Sequence, residues 1–251
     1  MLIEQSAYAN RWRRVAPAAK GAFALAGFVA AFAAATPRAA IAVAALICLV
    51  TLVGARVAAG RYLRVAAPAL VFLAISCLSL AFSVNVDTLS SASFDLAPGG
   101  WQQVGEVGAR SLGALAALLF LVLTTPLIDL IALLRRLRTP EVLLEIMVLC
   151  YRMLFVFSEA VHDTLTAQSA RLGYSSNALA LRSLGGLAAN LTLQVWQRAS
   201  DLNVAAQSRN NDGPLRFLDP TYANGRRDLA LAVAAGSARV ALALLLGRGL
   251  A

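Results

Sequence analysis

Two arginines carry the pattern that most suggests a specific contact. Ala167-Gln168-Ser169-Ala170-Arg171 is echoed by Ala206-Gln207-Ser208-Arg209, and the two arginines are 38 positions apart. Turn-forming residues follow each one, so each is predicted to end a helix. Arginine holds five donors in a fixed fork and keeps its charge when partly desolvated. Either one alone suits an ordinary helix C-terminal arginine that complements the dipole. The echo favours a double docking site for a partner with two equivalent grooves.

The other reactive side chains do not form a catalytic site. His162 stands beside Asp163 without a partner Ser, Cys or second His, which favours a surface or packing role. No glycine-rich stretch is followed by the Lys-Ser/Thr of a phosphate loop. The cysteines are scattered, which favours buried free thiols over a disulfide or metal cluster: Cys48, Cys77 and Cys150. We predict no catalytic residue, no metal site and no cofactor bound by this chain.

The composition is that of a membrane protein. Hydrophobic residues make up 59% of the chain and charged residues 14%, whereas a soluble domain has about half and about a quarter. The net charge of +9 would indicate nucleic acid only with a clustered basic face and stacking aromatics. The sequence shows no such face, so nucleic acid is not an expected partner. Arginine-rich cytoplasmic loops explain the charge better.

Apolar runs predict an all-α polytopic fold with about five membrane spans. The runs are residues 21–36, 39–55, 65–84, 111–131 and 229–247, and a polar loop covers 85–108. Thr36-Pro37-Arg38 predicts a tight turn between the first two spans. Residues 1–20 mix arginines with aromatic residues, which suits an interfacial segment, and a disordered tail is the alternative. Arg239 lies inside the last run and should face protein or water.

The region 135–227 is too polar to be a bundle of spans, since it holds eleven arginines and seven acids. Its apolar part, Leu143–Val161, forms a helix with one narrow polar stripe, because five charged residues fall within about 40° at 100° per residue. These are Glu141, Glu145, Arg152, Glu159 and Asp163. We expect this helix to pack on other helices or lie along the membrane, and a second long helix to cover 180–209.

These boundaries predict three parts. Residues 1–134 hold the N-terminal segment and four spans, 135–227 a polar helical region, and 228–251 the last span. Eighteen Lys and Arg lie in the N-terminus, the 56–64 loop and 135–227, against about three on the opposite side. The positive-inside rule therefore places the N-terminus and 135–227 in the cytoplasm. Proton- or sodium-coupled carriers usually place Asp or Glu at mid-membrane. Such acids are nearly missing from the predicted spans, which weakens that class of protein.

Short motifs carry a resemblance to a known family over nearly the whole chain. They are Ala7-Tyr8, Trp12, Pro17–Lys20, Thr124-Thr125-Pro126, Leu133–Leu137, Arg171–Tyr174 and Arg182–Gly185. Two further motifs centre on arginine: Ala170-Arg171-Leu172 and Ser208-Arg209-Asn210. In these residues the chain resembles the cobalt-type CbiQ/EcfT family, the transmembrane coupling subunits of energy-coupling-factor ABC transporters. That family commonly has glycine where this chain has Leu172 and Asn210.

The resemblance implies a non-catalytic subunit of an ATP-driven transporter. Two CbiO-like ABC ATPase subunits, which bind ATP and Mg²⁺, would each receive one arginine-bearing helix. The coupling helices of 135–227 would pass their motion to a separate CbiM-like substrate-binding membrane subunit, and a small accessory membrane subunit is allowed. The implied setting is the bacterial inner membrane and the implied cargo is cobalt, with nickel or a vitamin as alternatives. The competing hypotheses are an autonomous secondary carrier and an integral membrane enzyme.

Overall fold

The computed structural model describes residues 2–85, 93–96, 100–210, 222 and 225–249. These residues form nine α-helices and one antiparallel hairpin of two strands. The helices are α1 Leu2–Ala9, α2 Pro17–Ala33, α3 Pro37–Leu49, α4 Ala59–Ala81, α5 Gly100–Thr124, α6 Leu127–Arg136, α7 Glu141–Ala170, α8 Asn177–Ser208 and α9 Gly225–Gly249. The strands are β1 Phe82–Asn85 and β2 Ser93–Leu96. A 3₁₀ turn, Arg11–Arg14, precedes α2, and a π-helical turn, Val50–Gly54, extends α3.

Prolines start two of the helices. Pro17 and Pro37 lie in the first turn of α2 and α3, where a missing N–H breaks no helical hydrogen bond. The Oγ1 of Thr36 accepts a hydrogen bond from the backbone N–H of Ala39 at 3.4 Å and caps α3. The predicted turn between the first two apolar runs is therefore confirmed.

The expected span 111–131 is wrong at both ends. The chain breaks at Thr125-Pro126, because proline has no N–H and disfavours a helical conformation in the residue before it. At its other end α5 begins at Gly100, inside the expected polar loop, where Gln102, Gln103 and Glu106 are good helix formers. The same loop also contributes β2, which pairs with β1.

The chain divides into two compact units. The first comprises Met1–Leu133 with Pro220–Ala251, and the second comprises Leu134–Asp219. In the first unit, α2 packs on α9, α5 and α3, and α3 packs on α5. Its buried core is rich in small residues: Ala24, Ala30, Ala34, Ala39, Ala40, Ala44, Ala109, Ala116, Ala117 and Ala243, with Val43, Ile47 and Phe120.

Two glycines show how closely these helices approach. A Cβ on Gly113 of α5 would lie 2.5 Å from the Cβ of Ala31, and a Cβ on Gly236 of α9 would lie 2.6 Å from that of Ala26. Only a hydrogen atom fits at either position. Close approach through small residues is how helices pack in lipid.

Three of the described helices are long and apolar enough to cross a membrane: Pro37–Gly54, Ala59–Ala81 and Gly100–Thr124. The α2 helix is also apolar but has 17 residues. The 25 residues of α9 include the buried Arg239. The protein is an all-α polytopic membrane protein with one small β-hairpin.

The second unit is built on a helical hairpin. The 30 residues of α7 and the 32 of α8 are joined by residues 171–176. Leu144 is the one buried residue of α7, and no residue of α8 is buried. The apolar side of the predicted helix Leu143–Val161 is therefore largely exposed. Cys150 on this helix is exposed as well, which corrects its predicted burial, because no described element covers that face.

Candidate functional site

Arg171 caps the C-terminus of α7. Its φ and ψ are −92° and 15°, and the next residue, Leu172, has a left-handed φ of 57°. The backbone N–H of Leu172 donates to the carbonyl of Ser169 at 3.0 Å, and that of Gly173 donates to the carbonyl of Gln168 at 2.9 Å. This pair of bonds is a Schellman motif. We call Ala170, Arg171 and Leu172 the first tip, and all three are exposed.

Arg209 caps α8 in nearly the same conformation. Its φ and ψ are −98° and 9°, and Asn210 follows with a φ of 51°. The N–H of Asn210 donates to the carbonyl of Gln207 at 3.0 Å, matching the bond from Leu172 to Ser169. Ser208, Arg209 and Asn210 form the second tip and are also exposed. Residues 211–219, which follow, lie outside the described part of the chain.

The structure does not bring the two tips together. They lie at opposite ends of α8, whose 32 residues span about 48 Å at 1.5 Å per residue. Leu172 and Asn210 take the left-handed conformation that glycine adopts at no steric cost. The two tips thus keep one backbone geometry with two different residues at the third position.

A side-chain network that the sequence did not predict surrounds the first tip. The Nε2 of Gln168 donates to the carbonyl of Ser183 at 3.0 Å, and the hydroxyl of Tyr174 donates to the Oε1 of Gln168 at 2.7 Å. The Oγ of Ser183 donates to the carbonyl of Gly173 at 2.9 Å. The echoed Gln in both stretches was the only sequence signal, and it gave no indication of these partners.

An apolar groove of about 920 Å³ runs between α7 and α8 and reaches Arg209. Its lining includes three arginines and no acid. The lining residues are Leu149, Cys150, Arg152, Met153, Leu154, Phe157, Val195, Arg198, Ala199, Leu202, Asn203, Ala205, Ala206 and Arg209. Such a groove offers a partner helix a largely apolar surface with three cationic side chains in its lining.

The first unit buries a polar cluster that the sequence did not predict. Lys20, the one lysine of the chain, is 2% exposed, and its Nζ donates to the carbonyl of Thr124 at 2.9 Å. The Nδ2 of Asn10 donates to the same carbonyl at 3.0 Å. The break at Pro126 removes the donor that a continuous helix would supply to Thr124, so these two side chains cap α5.

Arg239 faces protein, as expected for an arginine within a span. It is 6% exposed, and its guanidinium carbon lies 3.6 Å from the centre of the Phe23 ring. Its Nη2 donates to the carbonyl of Phe23 at 3.0 Å. His162 is exposed. In the part of the chain that the structure describes, no three His, Cys, Asp or Glu side chains are grouped to hold a metal ion.

Comparison with known proteins identifies the family of this chain. Residues 9–217 match the family model CbiQ, described as cobalt transport protein. The cobalt transport protein CbiQ of Rhodobacter capsulatus is 33% identical over 97% of this chain and 98% of its own length. An uncharacterized protein of Methanocaldococcus jannaschii is 39% identical over 43% of this chain, and the match covers 41% of that relative. A Methanocorpusculum labreanum relative, whose name describes a fused cobalt transport protein CbiMQ, is 34% identical over 42% of this chain and 18% of its own length. The chain belongs to the CbiQ family of cobalt transport proteins.

Proposed function

We propose that this protein is the membrane scaffold that couples ATP hydrolysis to cobalt uptake. Two cytoplasmic ABC ATPase subunits bind ATP and Mg²⁺, and each receives one arginine tip. A separate substrate-binding membrane subunit carries the metal, and this chain contributes neither a catalytic residue nor a metal ligand. A small accessory membrane subunit is compatible with this assembly.

One observation carries the proposal. Arg171 and Arg209 end two long helices in the same backbone conformation, and about 48 Å of α8 separates them. Two exposed tips of equal geometry suit a partner that presents two equivalent grooves, as a pair of like ATPase subunits does. Arginine is suited to each contact because its charge persists when the groove partly desolvates it.

The exposed apolar side of α7 supports a second contact. Leu143, Ile146 and Leu154 are each about half exposed, and Leu154 also lines the groove between α7 and α8. We assign this face to the substrate-binding membrane subunit. A relative whose name joins CbiM and CbiQ in one protein supports a CbiM-like identity for that subunit.

The basic residues support the proposed orientation in a bacterial inner membrane. Eighteen Lys and Arg lie in the N-terminus, the 56–64 loop and 135–227, and by the positive-inside rule this excess supports a cytoplasmic position for these segments. Cys150 is a native probe of this orientation because it is exposed on α7. With Cys48 and Cys77 changed to serine, a membrane-impermeant maleimide should label Cys150 from the cytoplasmic side. Labelling of residues 143–161 from the outside would overturn the placement.

The tips themselves are tested by Arg171→Ala combined with Arg209→Ala. Truncation of a partly buried charged contact costs about 2–5 kcal/mol, so the ATPase subunits should no longer co-purify while the chain still inserts in the membrane. Arg64→Ala is the matched control, an exposed arginine of α4 in the compact unit that carries neither tip. Recovery of the ATPase at wild-type yield with the double variant would refute the proposal. Transport by this chain alone in vesicles would instead support a secondary carrier.

A further inference from the structure

Gln168 lies at the centre of the hydrogen bonds that hold the first tip. Its side chain bridges three segments: the end of α7, the connecting loop through Tyr174, and α8 through Ser183. Its backbone carbonyl also accepts from the N–H of Gly173 and closes the Schellman motif. The side chain is half-buried, where a hydrogen bond is lost at greater cost than at the surface.

Gly173 allows this network to close. A Cβ at this position would lie 2.6 Å from the Oγ of Ser183 and 2.9 Å from the carbonyl oxygen of Gln168. Ser183 can reach the carbonyl of Gly173 only because that space is empty. The loop that follows Arg171 is thereby tied to the first turns of α8 as well as to the end of α7.

The second tip lacks an equivalent brace within the described residues. Gln207 occupies the place of Gln168 in the echoed stretch, two residues before the arginine rather than three. Its side chain is exposed and makes no hydrogen bond to any residue in the described part of the chain. The backbone conformations of the two tips match, yet among the described residues side chains tie only the first tip to a neighbouring helix.

We propose that Gln168 is a positioning residue that holds Arg171 ready to dock, a role that no described residue fills at the second tip. This inference rests on the proposed function, in which both arginines dock into ATPase subunits. The first tip meets its partner already ordered and loses little conformational entropy on binding. Within the described residues, the second tip is held by its backbone cap and by the bond from the Oγ of Ser208 to the carbonyl of Ala205 in its own helix.

The test compares Gln168→Met with Gln207→Met in the full transporter complex. Methionine keeps the length of the side chain and removes its hydrogen bonds. Gln168→Met should weaken association with the ATPase subunits by about tenfold, as expected for the loss of two part-buried hydrogen bonds. Gln207→Met should leave association unchanged. Tyr174→Phe removes one bond of the network with little change in shape and should have a smaller effect in the same direction.

A double-mutant cycle separates positioning from general destabilisation. If Gln168 acts through Arg171, then Gln168→Met should have no further effect in an Arg171→Ala background. An additive loss in that background, or equal losses for the two Gln variants, would overturn the inference. If Arg171→Ala itself leaves association intact, the docking function fails together with the inference. If Arg171→Ala weakens association and Gln168→Met does not, the inference alone fails.

Discussion

Leu172 and Asn210 hold the same left-handed backbone conformation, with φ of 57° and 51°, at two helix ends 38 positions apart. Each follows an arginine that caps its helix, and each supplies an N–H to a carbonyl of the last turn. A left-handed residue at this position is the common way to end a helix. The two tips therefore keep the same backbone conformation without glycine. The steric cost of that conformation falls mainly on Leu172, because asparagine adopts it more readily.

Leu172→Gly should stabilise the backbone conformation of the first tip. A left-handed conformation costs a residue with a Cβ about 1–2 kcal/mol, and little burial is lost because Leu172 is 72% exposed. Hydrogen exchange at the Gly173 amide, which bonds to Gln168, should slow. Asn210→Gly is the matched change at the second tip and should give a smaller gain, since asparagine tolerates this conformation. Leu172→Val should speed exchange, and faster exchange in Leu172→Gly would contradict the strain argument.

Lys20 should be protected from amine-reactive reagents in the folded protein. It is 2% exposed and bonded to the carbonyl of Thr124. Asn10→Ala removes the second donor to that carbonyl and a 2.6 Å bond to the carbonyl of Ala7. The loss should cost about 1–3 kcal/mol and raise the rate of Lys20 modification, as measured by mass spectrometry against a denatured reference. Modification of native Lys20 at the denatured rate would refute its burial.

Gly113→Ala should destabilise the helix bundle, and Ala31→Gly should restore it. The new Cβ would meet the Cβ of Ala31 at 2.5 Å, and overpacking of this kind costs about 1–3 kcal/mol. Gly105→Ala is the matched control, because the same helix has open space at that position. It should be neutral or stabilising, since alanine favours a helix over glycine by about 0.5–1 kcal/mol. Thermal unfolding in detergent compares the wild type with Gly113→Ala, the double variant and Gly105→Ala. Failure of the double variant to recover would contradict the packing.

Arg239→Met should preserve the stability of the bundle, whereas Arg239→Ala should lower it. Methionine fills much of the same space and removes the cost of burying a guanidinium. Alanine loses the packing of the long side chain against Phe23. Arg226 is an exposed arginine on the same helix, and Arg226→Met should change little. An equal decrease in unfolding temperature in both Arg239 variants would contradict this prediction and show that the charge itself is required.

Local signals in the sequence set most helix boundaries of this protein. Pro17 and Pro37 start helices, and the echoed stretches end helices at Arg171 and Arg209, because helix starts and ends depend on residues within a turn of each other. One local signal lies inside a predicted span: Pro126 ends α5, although the apolar run 111–131 continues past it. The predicted burial of Cys150 depends on neighbours and is wrong, because no described element covers that face.

By itself, the sequence determined the membrane class, the family motifs and the two arginine positions, since composition and short-range order carry these. Only the tertiary structure decided which distant groups meet. The bond from Lys20 to Thr124 joins residues 104 positions apart, and the contact of Arg239 with the Phe23 carbonyl joins residues 216 apart. The bond from Gln168 to Ser183 crosses from one helix to the next. Each depends on how helices pack against one another, and no local pattern of residue types specifies that geometry.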